Sequence, residues 1–93
     1  MDIITWLIVG SLIVGAATIA FSGIKKWIRK NKNRKSKYAA IVKQRIRGGK
    51  YRLVSGIFDK HDVVQKTQVW EGKKIDKELE RQFQGSDTIY ISV

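Results

Sequence analysis

The stretch IITWLIVGSLIVGAATIAFSGI, residues 3–24, decides the predicted fold because it contains neither a charged side chain nor a proline. As an α-helix its 22 residues would extend roughly 33 Å, which exceeds the ~30 Å hydrocarbon core of a bilayer. Trp6 and Trp27 lie near its two ends, at the spacing of the aromatic belts of a membrane. The segment therefore predicts a transmembrane helix with Trp6 and Trp27 as interfacial anchors.

A cleaved signal peptide is the main alternative for this segment. Signal peptides start with a positive region and have a shorter apolar core. This chain starts with Met1-Asp2, and Thr18-Ile19-Ala20 is a poor cleavage site. A buried helix of a soluble domain is disfavoured too, because the remaining chain is too short to enclose an apolar cylinder of this length. The sequence thus favours an uncleaved anchor.

Charge predicts the orientation of that anchor. The formal net charge is +11, and every charged residue from Lys25 to Arg52 is basic. The positive-inside rule then places the N-terminus outside and the C-terminal part in the cytoplasm, as in a single-pass protein of the cell (inner) membrane. Eight basic residues next to the apolar segment are expected to contact anionic lipid headgroups: Lys25, Lys26, Arg29, Lys30, Lys32, Arg34, Lys35 and Lys37.

Small and hydroxylated residues recur at helical spacing inside the predicted span. Ser11, Gly15, Thr18 and Ser22 follow at intervals of four, three and four, which places them on one face of a helix. Such a face lets a second helix approach closely and predicts a helix–helix contact, with a partner or in a homo-oligomer. The alternative is that these residues are ordinary components of a spanning helix, with hydroxyls bonded to its own carbonyls.

The C-terminal part, residues 38–93, reads as a small α+β domain. Residues 38–46 fit strand and helix periods equally poorly, and a strand is favoured. Residues 51–58 and 63–70 are rich in β-branched and aromatic residues around a polar turn, which predicts a β-hairpin. Residues 88–93 have the composition of a closing strand.

Residues 74–84 switch to helical spacing, with Ile75, Leu79 and Phe83 on one stripe and Gly85 as a cap. This stripe is expected to pack on Val54, Ile57, Val69 and Ile89 or their alternates. The predicted fold class is a membrane-anchored α+β protein: one N-terminal transmembrane helix, then a ββαβ antiparallel sheet packed on one helix. Its parts are an anchor over 1–24, a basic connector over 25–37 and the domain over 38–93.

Residues that support catalysis or metal binding form no recognisable constellation. There is no cysteine, and the one histidine, His61, lies in the turn Asp59-Lys60-His61-Asp62, where Lys60 opposes cation binding. Asp76 and Glu80 are expected on a solvated helix face, and Gly48-Gly49 lacks the context of a phosphate-binding loop. No enzymatic activity, cofactor or metal site is predicted.

These features favour a non-enzymatic accessory or adaptor subunit that presents a small basic domain to a partner protein or complex in or at the membrane. The alternative is a membrane-active protein, holin-like or of the immunity or exclusion type, which acts by helix assembly in the bilayer. A nucleic-acid tether would depend on charge alone, since no base-reading motif accompanies the basic residues. Specific nucleic-acid recognition is therefore not predicted.

Overall fold

The structure is a computed structural model in which residues 13–93 are described. Strand β1 (Ile13–Ile19) leads into helix α1 (Phe21–Asn31), and three strands follow. These are β2 (Ser36–Ile46), β3 (Lys50–Asp59) and β4 (Val64–Ile75), with a 3₁₀ turn (Arg47–Gly49) between β2 and β3. Helix α2 (Lys77–Phe83) and strand β5 (Thr88–Ser92) complete the described part.

The strands form one mixed sheet in the order β1-β4-β3-β2-β5. Strands β2, β3 and β4 form an antiparallel meander, and β5 pairs antiparallel with β2. Strand β1 lies parallel to β4, with Ile13 beside Val69 and Ile19 beside Ile75. A parallel pair needs a long crossover, and here α1, β2 and β3 all lie between the two strands in sequence.

The predicted fold class is therefore wrong. Residues 13–19, assigned to a transmembrane helix, form a strand, and the sheet is mixed and five-stranded with two helices. Across the described range, 13–93, no helix is both long enough and apolar enough to traverse a bilayer. The predictions of a single-pass anchor over 1–24 and of an inner-membrane location depended on such a helix and are not supported.

The apolar run contains two elements separated by one extended residue. Ile13, Val14 and Thr18 are β-branched, which favours a strand. Ala20 then has φ −101° and ψ 139°, so the helical conformation starts only at Phe21. The sequence does not reveal this break, because alanine is a good helix former and does not predict the end of a helix.

Helix α1 is amphipathic rather than uniformly apolar. Phe21, Ile24 and Ile28 are buried along one stripe, while Lys25 and Arg29 are exposed on the other side. Much of the segment predicted as a basic connector, 25–37, thus belongs to a helix that packs on the sheet.

The elements predicted in the C-terminal part are largely confirmed. Strands β2, β3, β4 and β5 occupy the four predicted strand positions, and β3 and β4 form the predicted hairpin. The predicted helix over 74–84 is shorter than expected, because β4 continues to Ile75 and α2 begins only at Lys77.

The main core lies between the two helices and one face of the sheet. Leu79 and Phe83 from α2 are buried there with Ile57 from β3, and Ile89 packs against them, as the helical stripe predicted. Val54 and Val69 instead lie on the opposite face. They form a second cluster with Ala40 and Phe58, supplemented by Tyr38 and Val64.

Asp76 connects the two helices at their N-terminal ends. Its Oδ1 accepts a hydrogen bond from the Leu79 amide at 2.8 Å and so caps α2. Its Oδ2 accepts from the Phe21 amide at 3.2 Å, at the first residue of α1. The Asp76 amide also donates to the Ile19 carbonyl at 3.0 Å. The side chain predicted on a solvated face is therefore a shared cap.

Candidate binding surface

A groove runs between the C-terminal half of α1 and strand β5; we call it the α1–β5 groove. It encloses about 240 Å³, and seven residues line it: Lys25, Ile28, Arg29, Lys32, Ile91, Ser92 and Val93. Ile28 is buried, and Ile91 and Val93 pack against the main core, so these three provide an apolar floor. The basic side chains form the rim on the helix side.

Strand β5 exposes one of its edges beside this groove. It is the last strand in the sheet order and pairs with β2 from Val42 opposite Thr88 to Tyr38 opposite Ser92. Within residues 13–93 no strand pairs with its other edge. An open edge presents backbone amide and carbonyl groups that can pair with an added strand.

The rim of the groove keeps most of its positive charge. Only two ion pairs occur in the part of the chain that the structure describes, Lys25 with Glu78 at 3.6 Å and Arg52 with Glu71 at 2.9 Å. Arg29 and Lys32 are exposed and belong to neither. The groove therefore offers two cationic side chains to an acidic ligand.

A second concave region lies where the α1–β2 connection meets the β3–β4 turn; we call it the loop cavity. It encloses about 520 Å³, and seven residues line it: Arg34, Lys35, Ser36, Lys37, Asp59, Lys60 and His61. Local hydrogen bonds shape its first wall, since the Lys35 amide donates to Asn33 Oδ1 at 2.8 Å and the Asn33 amide donates to Ser36 Oγ at 2.9 Å. The Ser36 hydroxyl also donates a hydrogen bond to Gln65 Oε1 at 2.7 Å, which connects this wall to β4.

Asp59 organises the second wall of the loop cavity. Its Oδ1 accepts hydrogen bonds from the amides of His61 at 2.8 Å and Val63 at 3.0 Å. The hydrogen bond from the Val63 amide is the main reason why the pKa of Asp59 lies below its usual 3.8. The hydrogen bond from the His61 amide and the positive charge of Lys35 lower this pKa further. The carboxylate is thus ionised and engaged by the turn.

Three aromatic side chains line the sheet next to the loop cavity. Tyr38 stacks on Phe58 with ring centroids 5.0 Å apart, and Tyr90 lies 6.0 Å from Tyr38. The Tyr38 hydroxyl donates to Asp62 Oδ1 at 2.8 Å. Burial, and after it this bond to a carboxylate, raises the pKa of Tyr38 to about 12.

The predicted helix-contact residues are not gathered on one helix face. Ser11 and the predicted anchor Trp6 lie outside the described residues. Gly15 and Thr18 are three positions apart in β1, so their side-chain directions fall on opposite faces of the sheet, and Ser22 is exposed on α1. The predicted anchor Trp27 packs edge-on against Trp70, with ring centroids 5.5 Å apart.

The predicted lipid-contact residues divide between the two concave regions. Lys25, Arg29 and Lys32 line the α1–β5 groove, and Arg34, Lys35 and Lys37 line the loop cavity. Lys26 and Lys30 are exposed on α1. Headgroup binding by this set stays a prediction.

The residues that complete these regions were not predicted from the sequence. Lys60 and His61 reach the loop cavity through the β3–β4 turn, and Ile91 reaches the groove through pairing of β5 with β2. The composition of residues 88–93 predicted a strand but did not indicate which elements its two faces would meet.

No family model, curated protein or solved structure matches the chain. Within residues 13–93, no three His, Cys, Asp or Glu side chains group closely enough to hold a metal ion. Evidence on function therefore comes from the shape and charge of the two surfaces.

Proposed function

We propose that the protein is a non-enzymatic adaptor that binds an acidic, extended segment of a partner protein in the α1–β5 groove. The observation that supports this function best is the open edge of β5 beside a groove with an apolar floor and a cationic rim. Together these features supply the main-chain and side-chain contacts that recognition of an extended peptide requires.

Main-chain pairing would provide affinity without demanding one particular sequence. A segment that adds to a sheet edge forms ladder hydrogen bonds along its length, and its alternate side chains point to opposite sides. On the groove side, these side chains would meet Ile28, Ile91 and Val93. Small apolar residues at alternate positions suit that floor.

Charge would select among extended segments. Arg29 and Lys32 border the floor and belong to neither ion pair of the described residues, so acidic side chains can approach them without displacing a carboxylate. Lys25 is less available to an acidic ligand, because it already forms an ion pair with Glu78. Opposite charge across an interface favours association kinetics and discriminates against basic partners.

The membrane-active alternative has less support in the described residues than the adaptor function. A holin-like or exclusion protein acts through helices that assemble within the bilayer, and no helix of residues 13–93 can traverse one. The adaptor function needs no such helix, since the groove and the sheet edge belong to the folded domain.

The test uses a synthetic peptide in which glutamate alternates with valine, titrated into the full-length protein. We expect the double variant Arg29→Glu and Lys32→Glu to weaken binding about tenfold or more, because attraction at the rim becomes repulsion. The matched control, Arg47→Glu with Lys50→Glu, makes the same change in net charge at the β2–β3 turn, where both side chains are exposed.

Backbone hydrogen exchange checks the geometry in the same complex. Amides of β5 should gain protection when the peptide binds, because a new strand pairs with its outer edge. If the two double variants weakened binding equally, the peptide would be responding only to the net charge of the protein and not to the groove. Unchanged exchange in β5 would place the peptide elsewhere, and either result would refute the adaptor proposal.

A further inference from the structure

We propose that the opposite side of β5 binds single-stranded nucleic acid, with Tyr90 as the stacking surface for a base and the loop cavity as the site for backbone phosphate. This inference goes beyond the proposed function and uses none of the residues that line the α1–β5 groove. The two proposals can therefore fail separately.

Tyr90 is an exposed aromatic side chain on the surface of the sheet. It is 73% exposed, whereas its neighbours Ile89 and Ile91 pack against the main core on the other side of β5. Its ring borders Tyr38, which is itself stacked on Phe58. An accessible ring can stack on a base, and stacking tolerates every base because each has a π-face.

The loop cavity supplies positive charge next to these rings. Arg34, Lys35, Lys37 and Lys60 line it, and none of them forms a salt bridge within the described residues. The opposing carboxylate, Asp59, already accepts two backbone hydrogen bonds. A phosphate group would therefore meet an excess of cations, as binding through counterion release requires.

Tyr38 joins the stacking surface to the cavity. Its ring contacts Tyr90, and its hydroxyl contacts Asp62, which directly follows the cavity residues Lys60 and His61 in the β3–β4 turn. A base on Tyr90 and a phosphate in the cavity would thus lie on neighbouring parts of one surface. A single strand likewise carries bases and phosphates side by side along its length.

Single-stranded nucleic acid fits these features better than a duplex or an acidic peptide. A duplex keeps its bases stacked on each other and hides their faces from a protein side chain. An acidic peptide would satisfy the cations but would make no use of the exposed ring. The combination of an exposed aromatic face and a positive groove is typical of sequence-tolerant binding to single strands.

The experiment measures binding of a fluorescent oligothymidine of about 12 nucleotides to the full-length protein by anisotropy. We expect Tyr90→Ala to weaken binding about tenfold, which is the range expected when one base no longer stacks on a ring. Tyr90→Phe keeps the ring and should bind like the parent protein. Because Tyr90 is exposed, circular dichroism should show that both variants keep the fold.

Charge variants test the phosphate site in the same assay. The pair Lys35→Gln and Lys60→Gln should weaken binding and reduce the salt slope by about 0.7 for each phosphate that is no longer neutralised. The control pair Arg47→Gln and Lys50→Gln removes equal charge at the β2–β3 turn and should have a smaller effect. A matched duplex should bind more weakly than the single strand.

Each of the following results would overturn the proposal: parent-like binding by Tyr90→Ala, equal weakening by the two charge pairs, or tighter binding of the duplex. The variant Arg29→Glu with Lys32→Glu separates this site from the groove. It should lose affinity for the acidic peptide and keep most of its affinity for the oligonucleotide. Parallel weakening for both ligands would show one diffuse basic surface and refute a separate nucleic-acid site.

Discussion

Asp76 contacts both helices through the two oxygens of one carboxylate. Helix α1 lacks a capping side chain of its own, since Ala20 occupies its N-cap position. Asp76, although distant in sequence, supplies the missing cap by accepting a hydrogen bond from the Phe21 amide. The same side chain also caps α2. A negative charge at two helix N-termini is favoured by both helix dipoles.

Replacing this carboxylate should therefore cost more than removal of an ordinary surface acid. We expect Asp76→Ala to lower the free energy of unfolding by about 1–2 kcal/mol, the upper part of the range for one cap. Asp76→Asn should have a smaller effect, because its amide oxygen can still accept one bond. Urea unfolding followed by circular dichroism measures both, with exposed Glu80→Ala as the control. Equal destabilisation by Asp76→Ala and Glu80→Ala would contradict the shared cap.

Tyr38 gives the fold a dependence on alkaline pH. Its pKa is raised from 10.0 to about 12, so the folded state favours the neutral phenol. The stabilisation is fully present below pH 10 and is lost as the pH rises through about 12. Tyr38→Phe should remove that dependence, which stability measurements across this window would show.

Titration of the phenolate absorbance tests the cause of this shift. Asp62→Asn should lower the midpoint of Tyr38 only in part, because burial, the larger cause, remains. A Tyr38 midpoint near 10.0 in the unmodified protein would contradict both the burial of the phenol and its hydrogen bond to Asp62.

At the scale of elements, local patterns sufficed for the hairpin of β3 and β4 and for α2. Strands β3 and β4 are marked by β-branched and aromatic residues around a polar turn, and α2 by Leu79 and Phe83 at helical spacing. Both signals lie within one element, so they could be recognised without knowledge of tertiary structure.

The N-terminal elements could not be recognised in the same way. Average hydropathy combines strand β1 with the first turn of α1, because no charge, glycine or proline marks the break at Ala20. A helical stripe does exist in Phe21, Ile24 and Ile28. It becomes visible only if the apolar run is divided after Ile19, and that division depends on the pairing of β1 with β4.

Neither candidate surface was predicted from the sequence. Lys35 and Arg29 were predicted to contact anionic lipid headgroups, and in the structure both line concave regions. Their counterparts Lys60 and Ile91 arrive through the pairing of distant strands. No local pattern encodes which strands become neighbours, so these residues could not be assigned.

The contact between β1 and β4 depends on Gly72. A methyl group at this position would lie 2.7 Å from the Ala16 carbonyl oxygen and 3.0 Å from Ile19 Cγ1. We expect Gly72→Ala to destabilise the protein by about 1–3 kcal/mol, because backbone atoms must shift to admit it. Thermal unfolding and hydrogen exchange in β1 measure the effect.

Gly23 provides a control, because an alanine there is expected to raise the stability of the protein and not to lower it. It lies in α1 with no atom within 4 Å of an added methyl group. Gly23→Ala should therefore stabilise the protein by up to about 1 kcal/mol through helix propensity. Unchanged stability in Gly72→Ala would contradict the close approach of β1 to Gly72, and destabilisation by Gly23→Ala would contradict the open space at Gly23.

At the scale of the whole molecule, β5 separates two surfaces of different character. Ile89 and Ile91 face the helices and the α1–β5 groove, whereas Tyr90 lies with Tyr38 on the other side. Basic side chains border both surfaces, so the net charge of +11 is divided between them. Because successive side chains of a strand point to opposite faces, the short strand β5 contributes residues to both surfaces and separates them.

The parallel pairing of β1 with β4 also affects how the chain folds during synthesis. Ile13 lies beside Val69, 56 positions later in the chain. At a synthesis rate of about 5–20 residues per second, roughly 3–11 s pass between the appearance of the two partners. The β2–β3 hairpin can form during that interval because its pairs are close in sequence, but β1 must wait. Each new chain therefore presents an apolar strand without its partner for several seconds, and folding competes during that interval with association between nascent chains.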